Sequence, residues 1–91
     1  MSLVNTPLAF GSLTGVIYDF QKVGDVLPRH VHDDKTAHIS IVTNGLLKAY
    51  GDGWEMTIKP GQVVDFTAYQ AHEFKALQDN TRVINIAKGS V

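Results

Sequence analysis

Four histidines, His30, His32, His38 and His72, are the residues of this 91-residue chain whose type and spacing could do chemistry. His30 and His32 are two apart, and strand residues two apart share a face. Both imidazoles then point the same way. His38 opens the next β-rich run and His72 enters a later one, so an antiparallel barrel could bring all four together. A single histidine is more often a hydrogen-bonded core or surface residue, and only the joint pattern points to metal. Neutral imidazole nitrogens suit Zn, Fe, Ni or Cu, at about 2.0 to 2.1 Å for zinc, so four convergent side chains form a shell without a carboxylate. The chain has no cysteine, which excludes disulfides, thiolate zinc sites and cysteine nucleophiles.

The elements that position these histidines must come from one small domain. A length of 91 residues gives room for one core, and 44% hydrophobic with 19% charged residues is ordinary for a globular chain. A formal charge of -1 leaves no electrostatic footprint for nucleic acid or anionic lipid. No apolar run approaches the roughly 18 residues of a membrane span, and Met1 to Gly15 lacks the basic start and apolar core of a secretory signal. The expectation is a cytoplasmic protein with no nucleic-acid or membrane partner. A core this small without staples favours a homodimer.

Residues 1–12, with Pro7 and Gly11, read as an arm or edge strand, and 13–91 as a single barrel domain. Strands are expected over Leu13 to Val23, Val26 to His32, His38 to Thr43 and Leu46 to Tyr50, then Trp54 to Ile58, Val63 to Thr67, His72 to Leu77 and Arg82 to Ala87. Gly24-Asp25, Asn44-Gly45, Gly51-Asp52-Gly53 and Lys59-Pro60-Gly61 supply turn chemistry between them. Ala71 to Gln78 could be helical by propensity, yet its neighbours argue for a strand. Short strands with regular turn signals mark an all-β sandwich or small barrel. His38, Ser40 and Val42 share one face, while Ile39 and Ile41 make the other apolar as well, which suggests cover by a sheet or a second subunit.

The histidine spacing resembles the cupin superfamily, small barrels of double-stranded β-helix (jelly-roll-like) form. Its first motif runs glycine, five residues, His-x-His, three or four residues, Glu, six residues, glycine; here stand Gly24, His30-Val31-His32, then five residues, His38, six residues and Gly45. Its second motif runs glycine, five residues, Pro-x-Gly, two residues, His, three residues, Asn; Gly61, Thr67-Ala68-Tyr69, His72 and Ala76 fall on it without a gap. His38 therefore occupies the glutamate slot, and Thr67, Tyr69 and Ala76 replace Pro, Gly and Asn. The resemblance implies one divalent transition metal (Zn, Fe, Ni, Mn or Cu) held by His30, His32, His38 and His72. Four-histidine shells occur in some cupins, including zinc polyketide cyclases, and related sites serve dioxygenases and isomerases. Four neutral imidazoles leave the full charge on the metal, which favours an anionic oxygen ligand and acidifies bound water.

Strand parity places Ser40 and Phe74 on the histidine faces, while Trp54, Met56 and Ile58 alternate on one face and could close the apolar end of the cavity. Candidate acids or bases are Tyr18 and Asp65, the latter interrupting Val63-Val64-Asp65-Phe66; Glu73 should point away from His72. Arg29 and Arg82 could clamp an anion at the rim, although surface charge is the commoner role. Two functions stay open. One is a metal-dependent enzyme, cyclase- or isomerase-like or dioxygenase-like, acting on a small oxygen-bearing molecule; the other is a non-catalytic small-ligand or sugar-binding module with a structural metal. Protons compete for the same nitrogens, so metal affinity should fall as pH drops below about 6. Dialysis against chelator at neutral and at acidic pH checks this, and metal retained through the acidic arm would exclude neutral-imidazole coordination.

Overall fold

The computed structural model describes residues 3–30, 37–65 and 71–88, with only the backbone for Phe10, His30, Ala37, His38 and Lys88. His32, the Asp33-to-Thr36 turn, Thr67, Tyr69 and the tail after Lys88 lie outside the described residues. The described elements are strands throughout: β1 (Leu3–Phe10), β2 (Leu13–Phe20), β3 (Val26–His30), β4 (Ala37–Asn44), β5 (Leu47–Gly51), β6 (Trp54–Ile58), β7 (Val63–Asp65), β8 (His72–Ala76) and β9 (Thr81–Lys88). They form two antiparallel sheets that face each other across one core, in the order β1-β2-β9-β4-β7 and β3-β8-β5-β6. This is an all-β, jelly-roll-like barrel.

Alternation along the strands sorts the residues into rows. Across the five-stranded sheet, Tyr18, Val83 and Val42 form one inner row, and Val16, Asn85, Ser40 and Val64 form the next. Across the four-stranded sheet, Ala76, Leu47 and Ile58 form one row, and Leu27, Phe74 and Ala49 the next. Val83, Val42, Leu47, Ile58, Phe74 and Ala76 are fully enclosed, as is Phe20, and together they make the core. Burying each large side chain stabilises the fold by about 1.5 to 3 kcal/mol.

One end of the barrel is locked by Thr81. Its buried hydroxyl accepts from Leu46 N at 3.1 Å and donates toward Gln78 O at 2.9 Å, so β9 of one sheet is tied to the start of β5 in the other. Gly45 packs so closely there that a Cβ would collide with Thr81, and its φ of +82° favours glycine independently. The two inner ladders therefore begin level at Thr81 and Leu47 and run toward the same far end.

Local chemistry also shifts some strand boundaries. The expected Leu13 to Val23 strand ends at Phe20 because Asp25 Oδ2 accepts from Lys22 N at 3.1 Å and Asp79 Oδ1 from Val23 N at 2.7 Å, turning the chain. Residues 3–10 form a full edge strand paired with β2 from Leu3↔Phe20 to Phe10↔Leu13. The segment from Ala71 is strand over His72–Ala76, as its period demands.

The outward faces of the two sheets differ. The four-stranded sheet carries Lys48, Glu55, Tyr50, Glu73 and Arg29, linked by Lys48–Glu55 at 2.8 Å and Arg29–Glu73 at 3.1 Å. The five-stranded sheet carries the row Thr6, Ile17, Ile84, Ile41 and Val63, and beside it Gly15, Ile86, Ile39 and Asp65.

Candidate metal centre

His72 begins β8, and its register partner across the ladder is His30 of β3. Leu27 pairs with Phe74 in the same ladder, so β3 uses three steps where β8 uses two. That extra residue is a β-bulge, and Pro28 sits inside it. Proline lacks an N–H to donate, which an edge strand such as β3 tolerates. Without the bulge, positions 27 and 30 would fall on opposite faces; with it, both align with successive inner positions of β8.

The His72 side chain is fully buried, Nε2 included, and its ring lies 5.5 Å from that of Phe74 at a 45° tilt. Position 38 pairs with Ala87, one step beyond Ser40 and Asn85 on the ladder of β4 and β9. Both sheets thus change character along their length, from Val42, Val83, Leu47 and Ala76 near the Thr81 lock to Ser40, Asn85 and His72 at the far end. Backbone register places positions 30, 38 and 72 at that far end. His32 lies outside the described residues.

The remaining candidates divide clearly. Ser40 is buried, with its hydroxyl donating to Asn85 Oδ1 at 2.6 Å. Phe74 is core, and Trp54 packs partly buried against it at the tip of the β5–β6 hairpin. Gly51 lets this happen, since a Cβ there would lie 2.5 Å from Trp54 Nε1 and 2.6 Å from Ala71 O. Met56 stands opposite Ala49, in register with the inner row of Phe74, and is 40% exposed on edge strand β6. Asp65 is exposed on β7 opposite Ile39, outside the barrel and away from the histidine end's interior.

Tyr18 packs against the core from β2, and burial raises its pKa, keeping the phenol protonated. Glu73 faces outward, accepting from Tyr50 Oη at 2.9 Å and from Arg29 Nε at 3.1 Å. Arg29 also meets Asp52 at 2.9 Å, and Arg82 meets Asp19 at 2.7 Å, so neither guanidinium is held ready for an anion. Asn85 was absent from the candidates drawn from sequence. Its signal was there: an amide on the Val83–Ala87 face of an otherwise apolar strand.

No protein-family model and no curated protein matches the chain. Solved structures do. KdgF from Halomonas sp. superposes with a TM-score of 0.83 at 21% identity, over 98% of this chain and 80% of that one. An RmlC-like cupin protein from Desulfovibrio desulfuricans gives 0.79 at 24% identity, over 94% and 82%. The chain has the cupin fold. A cupin_2 domain of an XRE family transcriptional regulator from Enterobacter cloacae also matches end to end, covering 100% of both chains with a TM-score of 0.79 at 16% identity. In this cupin barrel the backbone register puts positions 30, 38 and 72 toward one end, with the lock at Thr81 at the other.

The half-buried phenol gives a direct check. Tyr18 should ionise above the ordinary tyrosine range in an ultraviolet pH titration, and Tyr18→Phe should remove part of the late-titrating absorbance. Loss of an ordinary tyrosine component instead would place Tyr18 in solvent.

Proposed function

We propose that this protein is a metal-binding cupin in which His30, His32, His38 and His72 hold one divalent transition metal, and that it acts on a small oxygen-bearing organic molecule. The observation that carries this reading is the pairing of His30 with His72 by way of a bulge, at the end where the barrel interior turns polar. His72 is fully buried at an inner position of β8, with its ring against Phe74. An all-imidazole donor set, with no cysteine in the chain, suits zinc, iron, nickel or copper.

When bound, such a metal supplies Lewis-acid polarisation of a carbonyl or enolate oxygen, the chemistry of cyclisation and isomerisation. The chain's own groups do the rest. Phe74 packs against the His72 ring and restrains its orientation, and the core beneath excludes water. Tyr18 stands in the inner row of Val83 and Val42 near the Thr81 lock, two inner steps from position 38, and is given no part in proton transfer. Four protein ligands close a tetrahedral centre, so turnover requires a wider coordination number or the departure of one histidine. A non-catalytic ligand-binding module is the second reading, supported by the end-to-end match to a regulator's cupin domain.

The same proposal includes a second copy of the chain on the isoleucine face of the five-stranded sheet. Within its two central rows the only charge is Asp65, at the margin, and the neighbouring Asp19 and Arg82 neutralise each other. An identical face meets no repulsion there, as an isologous dimer requires. Light scattering should give twice the chain mass, with Ile84→Lys returning the monomer; a monomeric wild type excludes this arrangement.

Elemental analysis of protein purified without a metal-affinity step tests the site. Wild type should retain metal, and His72→Ala and His38→Ala should each lose most of it. Metal-free wild type after incubation with each candidate ion would refute the reading, whereas unchanged content in His38→Ala would reduce the shell to three histidines.

A further inference from the structure

We infer that the side-chain amide of Asn85, oriented by Ser40, is the group that recognises the second oxygen of the ligand, and that the ligand is a short carboxylate such as a keto, hydroxy or dicarboxylic acid. The inference rests on the metal-site reading above. Ser40 and Asn85 are register partners on β4 and β9, and Ser40 Oγ donates to Asn85 Oδ1 at 2.6 Å. Ser40 is 0% and Asn85 6% exposed, so the pair lies within the barrel.

One row nearer the lock, the equivalent pair is Val42 and Val83, which fills the same kind of space without polar atoms. Burying a hydroxyl and an amide in its place loses hydration that only part of their hydrogen bonding restores. Folding alone therefore does not call for them. Their chemistry does have a use. With its hydroxyl on Oδ1, Ser40 fixes the planar amide and leaves Nδ2, a group with two N–H donors, turned away from it. Two N–H donors select an acceptor oxygen and offer nothing to a cation.

Position along the strand sets the ligand's length. Asn85 and Ser40 lie one inner step from Ala87 and position 38, where the register places the histidine end. Two residues of strand span roughly 7 Å, and His72 on the facing sheet stands level with Asn85, so the ligand's two oxygens need be only a few bonds apart. A neutral amide, rather than an arginine, fits a site whose four imidazoles leave the metal's charge uncompensated, because the carboxylate itself supplies the balancing charge.

Calorimetric titration of the zinc-loaded protein with malonate, and separately with imidazole as a ligand that meets the metal alone, tests the assignment. Asn85→Asp, nearly isosteric, should weaken malonate about tenfold or more, since it removes the donors and adds a repelling charge. Ser40→Ala, which leaves the amide present but free to turn, should weaken it by a smaller factor. Imidazole affinity and zinc content should stay within about twofold in both variants. Zinc-loaded, folded Asn85→Asp that binds malonate as wild type does overturns the inference and leaves the metal site standing. Wild type that retains no zinc overturns the metal site itself, and malonate weakened equally with imidazole reassigns Asn85 to support of the metal shell.

Discussion

Inner positions on a strand recur every second residue, and in a barrel this narrow each of them must hold a side chain that tolerates burial. The ladder of β8 obeys this with Ala76, Phe74 and then His72, all fully enclosed. On the facing sheet, β4 and β9 follow the same gradient, from Val42 and Val83 to Ser40 and Asn85. Everything else in the molecule serves to keep these gradients aligned. If one ladder slipped by a single residue, His72 would exchange faces with Glu73, whose carboxylate now meets Tyr50 and Arg29 outside.

Two local devices prevent that slip. The Thr81 hydroxyl joins the first residues of β9 to the approach to β5, and Gly45 yields the space that the contact needs. At the other end, the bulge at Pro28 inserts one residue into β3 and restores the phase between Leu27 and His30. The bulge stands on an edge strand, where a missing N–H leaves no ladder partner unsatisfied on the outer side. Register at both ends is thus set by geometry that resists sliding, and the apolar rows between them need only fill volume.

Much of this was legible from residue order. Alternation identified the strands from Trp54 to Ile58 and around His72 and predicted the outward turn of Glu73, because period-2 burial is a local signal. Strand order was not legible in the same way: β9 sits between β2 and β4 through pairings that join the chain's end to its first half. Exposure is less legible: the parity of Met56 is clear, but that β6 is an edge strand, which leaves Met56 40% exposed, depends on those long-range pairings. Asn85 was missed for a related reason, since an isolated amide reads as surface until its partner Ser40, 45 positions away, is known.

The substitution of histidine for a carboxylate at position 38 connects fold to chemistry through charge. In the low-dielectric interior a carboxylate ligand would lower the net charge of the centre and its pull on incoming anions. Among the described buried residues toward the far end, Ser40 and Asn85 carry no acid that could take that part. Asp25, the buried acid of the described residues, lies beyond β8's Ala76 at the locked end, where its backbone carbonyl accepts from Ala76 N at 2.9 Å. If the proposed metal is held there, its charge would have to be balanced by a ligand that carries its own negative charge.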